Sequence, residues 1–142
     1  MKTQRFLTHQ ELFDHAVDHL FVQRQAALLP RGGGAYHGYR GGCPIGRLIH
    51  PRDYMTAIEG VPVRYIDKPA TMVPAYMDAG VTALRKALLK ARVNIYEPTT
   101  VDLLSCLQNV HDAFGVWEWR ERLASIARQF SLSTVRLEKH AA

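Results

Sequence analysis

The sequence predicts an α+β domain that is predominantly α, with about five helices and a small glycine-rich β-hairpin near residues 35–44. Apolar residues recur at helical spacing in the first 30 residues and again from residue 81 onward. Between them, residues 31–49 hold seven glycines and keep no side-chain period. The length of 142 residues fits one domain, so we assign residues 1–142 to a single domain.

The first helix has clear start and stop signals. Thr8 and Glu11 stand three residues apart, the spacing of a capping box. Apolar residues then recur at helical spacing from Leu12 to Leu28, and Pro30 ends the pattern. A helix buried along one face is therefore expected over most of this stretch.

The glycine-rich stretch favours a hairpin. Short extended pieces in residues 35–39, joined by glycine turns, are the most economical interpretation. We expect a tight hairpin that brings Tyr36, Tyr39 and Cys43 against the helical core. Gly46 follows a proline and an isoleucine, where a turn that needs a positive φ would explain the glycine.

Short elements follow in the middle of the chain. Residues 43–49 have too few apolar positions to distinguish a helical turn from a strand. Residues 53–58 indicate a short helix, with Gly60 placed as its C-terminal cap. Residues 61–66 favour a strand, and Pro62 would confine that strand to a sheet edge.

The second half of the sequence is helical. Residues 81–93, 101–114 and 116–130 each carry apolar side chains on one face. A short connection between the last two predicts an antiparallel helical hairpin. Leu107 and Ile126 should then be buried in one shared core.

Composition indicates a cytoplasmic protein. No apolar run approaches the roughly 18 residues that span a membrane, and the N-terminus lacks the apolar region of a signal peptide. Two cysteines, Cys43 and Cys106, predict free thiols in a reducing compartment. The net charge of +5 falls mainly in the first 100 residues, which favours acidic partners or nucleic acid.

Two surfaces are candidates for binding. In the glycine-rich stretch, arginines precede glycines beside aromatic rings that can stack on bases, and residues 85–92 form a basic helix face. The alternative for the stretch is a hairpin whose tyrosines cover the edge of the core. The predicted binding residues are Arg31, Tyr36, His37, Tyr39, Arg40, Arg85, Lys86 and Lys90.

No cofactor or metal is predicted. Residues 41–48 have the glycine spacing of a Walker A loop but lack its lysine and its hydroxyl. Glu11, His15 and His19 share one helix face, and the two imidazoles can ligate zinc. A third ligand is missing, however, and a solvated polar face is the simpler account.

A cysteine-nucleophile enzyme is the alternative function. Cys43 lies in a loop where backbone N–H groups can lower the pKa of a thiol, and His111 with Asp112 can complete a triad. Adjacent residues on a helix point about 100° apart, which places Asp112 poorly to orient His111. Free cysteines are also among the most buried residue types.

Three segments add a resemblance: CPIGRLIHPRDYMTAIEG, LLSCLQNVHDAF and WRERLASIARQF. Together they are similar to a family of small, uncharacterised bacterial and phage proteins. Their pattern is Cys-x-(Ile/Val)-Gly-x-Leu-Ile, then Pro, Tyr and Glu-Gly, then Leu-Gln-x-x-His-Asp and a final amphipathic helix. The matching positions are Cys43, Ile45, Gly46, Leu48, Ile49, Pro51, Tyr54, Glu59, Gly60, Leu107, Gln108, His111 and Asp112.

The resemblance implies one compact domain built around Cys43 and His111. It leaves open whether this pair is chemical or structural, and whether Tyr54 and Glu59 belong to a buried hydrogen-bond network. The chain departs from the pattern in its basic residues 61–98, in an inserted histidine before the proline, and in an arginine where an acid is expected.

From these observations we expect a small cytoplasmic interaction or regulatory protein of phage or mobile-element character. It would bind a protein partner, or alternatively a nucleic acid, and would not contact a membrane. The different-class alternative is the enzyme that uses Cys43 and His111. Burial of Cys43 would argue against that enzyme.

Overall fold

The computed structural model describes residues 5–23, 35–37 and 42–140, and in these ranges all regular secondary structure is helical. The five α-helices are α1 (His9–Gln23), α2 (Asp78–Lys90), α3 (Pro98–Ala113), α4 (Trp119–Gln129) and α5 (Val135–Lys139). Single 3₁₀ turns connect them, at Gly46–Leu48, Pro51–Asp53, Thr56–Ile58, Val63–Asp67, Ala70–Met72, Ala75–Met77 and Val116–Glu118. The described chain is therefore all-α, and the predicted α+β class is wrong.

The predicted hairpin at residues 35–44 is absent from the described part of that stretch. Residues 35–37 form a bend and residues 42–44 lead into a turn, with no strand in either. One backbone hydrogen bond joins the two pieces, from the N–H of Cys43 to the carbonyl of Ala35 at 2.8 Å. A single bond of this kind does not make a ladder.

A side chain from elsewhere takes the donors that a hairpin would need. The N–H groups of Tyr36 and His37 both donate to the carboxylate of Glu59, at 2.7 and 3.0 Å. Two successive N–H groups on one carboxylate are not available for a partner strand. This use of backbone donors is the physical reason for the failed prediction.

Prolines explain the short turns between residues 51 and 77. Pro51 begins one 3₁₀ turn, and Pro62, Pro69 and Pro74 each immediately precede another. Proline fixes φ near the helical value but cannot donate within a helix, so it favours a start and prevents a long continuation. The predicted helix at 53–58 and edge strand at 61–66 are accordingly replaced by 3₁₀ turns.

The predicted helices are otherwise present. α1 begins with the predicted capping box, in which Glu11 N–H donates to Thr8 Oγ1 at 3.1 Å and Thr8 N–H donates to Glu11 Oε1 at 3.0 Å. α3 packs against α1 and α4, and α5 packs against α1. Leu107 on α3 and Ile126 on α4 are buried in the same apolar cluster, as predicted.

Replacing Leu107 with alanine should lower the free energy of unfolding by roughly 2–5 kcal/mol, because the side chain is 1 % exposed and its loss leaves a cavity. Urea denaturation followed by circular dichroism measures the change. Val22→Ala is the control, since Val22 is 79 % exposed and its truncation should have little effect. A loss below about 0.5 kcal/mol for Leu107→Ala would show that the core face of α3 is misassigned.

Candidate functional site

The Glu59 carboxylate fixes the segment that contains Tyr36 and His37. Besides the two backbone N–H groups, it accepts a hydrogen bond from the hydroxyl of Tyr54 at 2.7 Å. The ring of Tyr54 stacks on that of His37, with centroids 4.4 Å apart and planes 9° from parallel. Burial, followed by the bond to Glu59, raises the pKa of Tyr54 to about 12. Three donors thus converge on one carboxylate, as the buried-network interpretation of Tyr54 and Glu59 requires.

Tyr36 is a structural residue. Its side chain is buried, and its hydroxyl donates to the carbonyl of Val61 and accepts from Gln108 Nε2 at 2.8 Å. The amide oxygen of Gln108 accepts from the N–H of Val63 at 3.0 Å, which ties α3 to the Val63–Asp67 turn. Burial raises the pKa of Tyr36 well above its ordinary value. The ring is therefore withdrawn from the surface, where a base-stacking role would place it.

Gly42 and Gly46 are required by close packing. A Cβ atom at either position would lie 1.9 Å from the carbonyl oxygen of Tyr36. The expectation of a positive φ at Gly46 is wrong, since Gly60 is the glycine with a positive φ, at 79°, in the described residues. The glycine-rich stretch thus lets three backbone segments approach one another.

Cys43 is buried within this packing. The residue is 1 % exposed, and its sulfur accepts a hydrogen bond from the N–H of Gly46 at 3.4 Å. Burial raises the pKa of the thiol to about 12, and the Asp112 charge acts in the same direction. At neutral pH the thiol therefore stays protonated, and a thiol is a much weaker nucleophile than a thiolate.

His111 and Asp112 form a hydrogen-bonded pair. His111 is 1 % exposed, its Nδ1 lies 2.7 Å from Asp112 Oδ1, and its ring stacks on Trp119. The expectation that Asp112 cannot orient its neighbour is wrong, because side-chain torsions bring the two short side chains together despite their different directions on α3. The pair resembles the His–Asp half of a triad, but the thiol of Cys43 is held in its protonated form.

An open cleft lies between α1 and the Gly46–Leu48 turn. It has a volume of about 530 Å³ and adjoins a second cleft of about 280 Å³ that shares His19, Val22 and Arg47. We refer to the two together as the Arg47 groove. Its polar members are His15, Asp18, His19, Gln23, His37 and Arg47. Val22, Ile49 and Pro51 add apolar surface.

The Arg47 groove carries a positive charge from Arg47 that is unpaired among the described residues. The Arg47 side chain is exposed and makes no hydrogen bond or ion pair with any residue that the structure describes. Burial lowers the pKa of His15 and of His19, and the nearby Arg47 charge lowers both further. His19 Nε2 lies 2.6 Å from the carbonyl of Gly42. An anionic group is the natural complement of such a site.

The basic face predicted on α2 lies apart from this groove. Arg85 is half-buried, Lys86 is exposed, and Lys90 pairs with Asp53 at 3.4 Å. None of the three lines the Arg47 groove. The predicted binding residues Arg31, Tyr39 and Arg40 lie outside the described residues.

Two of the three possible zinc ligands on α1, Glu11 and His19, have other partners. Glu11 binds Arg5 at 2.5 Å as well as the Thr8 N–H, which holds the pKa of the carboxyl down at about 2. His19 faces the Gly42 carbonyl. Within residues 5–23, 35–37 and 42–140, no three histidine, cysteine or acidic side chains come together as metal ligands.

Arg47 was missed in the sequence because an arginine after a glycine has no distinguishing local pattern. A partial signal was the i, i+4 spacing of His15 and His19, which placed two imidazoles on one helix face. Glu59 and Gln108 stand at positions of the resemblance, which left open a hydrogen-bond network of Tyr54 and Glu59 but gave no partner for Gln108.

Comparison with protein-family models, curated proteins and solved structures finds no match to this chain. Among the described residues, no helix is both long enough and apolar enough to span a membrane.

Gly46→Ala and Gly60→Ala should differ sharply in stability. At Gly60 a Cβ meets nothing within 4 Å, so only the positive φ is penalised, by about 1–2 kcal/mol. At Gly46 the Cβ overlaps the Tyr36 carbonyl, so the backbone itself must move and the cost should be larger. Paired chemical denaturation curves measure the difference. Equal losses would refute the close-packing account of Gly46.

Cys43 should react more slowly with Ellman's reagent than the half-buried Cys106 in the folded protein at pH 7.5. Single variants Cys43→Ser and Cys106→Ser assign the two rates, and both thiols should react rapidly in urea. A Cys43 that reacts as fast in the folded state as in urea would mean that the thiol is accessible and activated.

Proposed function

We propose that this chain is a small interaction protein that binds a protein partner through the Arg47 groove and carries out no catalysis. The observation that supports this proposal most directly is the exposed Arg47 side chain. It stands at an open cleft of about 530 Å³ with no hydrogen bond or ion pair to a described residue. An exposed cation beside apolar surface is typical of protein-binding sites, where arginine is enriched.

The state of Cys43 argues against the alternative enzyme. A nucleophilic cysteine needs a lowered pKa and access to substrate, whereas Cys43 is buried and its pKa is raised to about 12. His111 is equally buried, between Asp112 and Trp119. These residues are better explained as parts of the core that supports the groove.

The described aromatic residues of the glycine-rich stretch, Tyr36 and His37, give little support to RNA binding. Tyr36 is buried with its hydroxyl bonded to Val61 and Gln108, and one face of the His37 ring is covered by Tyr54. Base stacking requires exposed ring faces. A protein partner therefore fits the described residues better than a nucleic acid.

A cytoplasmic location is part of the proposal. Cys43 and Cys106 are both free thiols, which suits a reducing compartment. The phage or mobile-element character remains a proposal that rests on the resemblance of the Cys43, Glu59 and His111 segments alone.

A photo-crosslinker at position 22 tests this function. Val22 is 79 % exposed and lines the groove, so benzoylphenylalanine there should capture the partner from nuclease-treated cytoplasmic extract. The crosslinked band should disappear with Arg47→Glu and persist with Arg128→Glu, which makes the same charge change on an exposed residue of α4. Mass spectrometry identifies the band.

Three results would contradict the proposal: a band that Arg47→Glu leaves unchanged, a band that requires intact nucleic acid, or no band at all. Lys86→Glu tests the basic face of α2 in the same assay, since loss of the band there alone would move the contact to α2.

A further inference from the structure

We propose that the Arg47 groove recognises an acidic segment of the partner protein, with a carboxylate bound at Arg47, and that His15 and His19 take up protons when this segment binds. The inference rests on the function proposed above. It adds the chemical class of the bound segment and makes binding sensitive to pH.

The charges around the groove favour a carboxylate. Arg47 lines both clefts and its planar guanidinium matches the geometry of a carboxylate. The carboxylate of Asp18 at the groove edge is already bound, to His140 at 2.8 Å and to Arg136 at 3.4 Å. The unmatched charge of the groove is therefore positive.

Because of its hydrogen bond to Gly42, His19 can favour an anion in the groove only when its imidazole is protonated. A carbonyl can only accept, so the Nε2 of His19 must donate its proton to Gly42 across 2.6 Å. In a neutral ring the other nitrogen then carries only a lone pair, which repels an anion. Protonation keeps the bond to Gly42 and converts that second nitrogen to a donor.

His15 lies one helical turn away on the same face of α1. Its pKa is lowered by burial and by Arg47, while Asp18 acts in the opposite direction. Burial lowers the pKa of His19 too; the hydrogen bond to Gly42 acts in the opposite direction, and the charges of Arg47, His111 and His15 lower the pKa further. Both imidazoles therefore begin largely neutral near pH 7, with room to gain a proton.

The remaining titratable groups on neighbouring elements have their own partners. His37, from residues 35–37, lies with Nε2 2.9 Å from the carbonyl of Gly46 and stacks on Tyr54. His111, from α3, is held by Asp112 at 2.7 Å. Proton uptake on binding is assigned to His15 and His19 because both line the cleft of about 280 Å³ beside Arg47, whereas neither His37 nor His111 lines that cleft.

The direction of the pH effect follows from these charges. A bound carboxylate stabilises the protonated imidazoles, so their pKa values rise on binding and affinity is greatest below the pKa values of the free groove. Affinity falls as the pH rises through the pKa values of the complex. Glutamate side chains titrate near pH 4.3 and stay ionised from pH 5.5 to pH 8.

The lining favours a protein segment over a nucleic acid. Among the described lining residues, Val22, Ile49 and Pro51 supply apolar surface beside one arginine, Arg47. Nucleic acids are held by several phosphate contacts in series, which require several cations. A short segment that pairs an apolar residue with an acidic one matches this mixture.

The test uses an acetylated and amidated hexapeptide of alternating leucine and glutamate, titrated into the full chain and followed by NMR shifts of Arg47 and the imidazoles. Affinity should increase at least about tenfold from pH 8 to pH 5.5, toward the limit of about a hundredfold that pKa rises of one unit in each of the two imidazoles would supply. A peptide with glutamine in place of glutamate should bind weakly at every pH.

The double variant His15→Gln/His19→Gln should bind the acidic peptide with nearly constant affinity across this range. Glutamine can still donate to the Gly42 carbonyl but cannot take up a proton. His50→Gln is the matched control, because His50 is exposed and does not line the groove, and it should keep the pH dependence. In the parent chain, the NMR pKa values of His15 and His19 should rise when the peptide is added.

Each contrary result overturns a defined part of the inference. Peptide binding with the same affinity at pH 5.5 and pH 8 removes the proton uptake and leaves the proposed function standing. If the peptide binds at no pH but the crosslink at position 22 still depends on Arg47, the acidic character of the bound segment is refuted and the proposed function is not. If an eight-nucleotide oligouridylate binds more tightly than the acidic peptide, the anion that the groove recognises is a nucleic-acid phosphate and not a protein carboxylate.

Discussion

The carboxylate of Glu59 is the interaction on which the described structure depends. It accepts hydrogen bonds from the N–H groups of Tyr36 and His37 and from the hydroxyl of Tyr54. Backbone donors in a segment without secondary structure must find partners when they are withdrawn from water, and a carboxylate can accept several such bonds. With this segment held, the carbonyl of Tyr36 lies where only glycine fits, at Gly42 and Gly46 in the next part of the chain.

The same packing decides the state of the Cys43 thiol and the position of Arg47. Because the segment that contains Cys43 packs against Tyr36, the thiol is buried and its pKa is raised to about 12. The segment then continues to Arg47, whose side chain emerges beside α1 and completes the groove. Burial of Cys43 and exposure of Arg47 are two results of a single backbone path, and both support the proposed binding function.

Sequence reasoning succeeded where structure is set by neighbours along the chain. The Thr8–Glu11 capping box and the apolar periods located α1 and the three long helices of the second half, and they placed Leu107 and Ile126 in a shared core. It failed at the hairpin because the group that captures the N–H donors of Tyr36 comes from a residue 23 positions further along. The spacing of apolar residues along the sequence gives no sign of a bond between such distant residues.

The sequence by itself determined α1 to α4, the capping box of α1 and the buried faces of these four helices, since side-chain spacing and capping act within a few residues. It also indicated that the glycine-rich stretch is structurally demanding. Only the tertiary structure decided why: Gly46 is needed for contact with Tyr36 and has no positive φ. The tertiary structure likewise decided that Cys43 is buried with a raised pKa and that Arg47 lies beside His15 and His19, because burial and electrostatic neighbours depend on how distant segments pack.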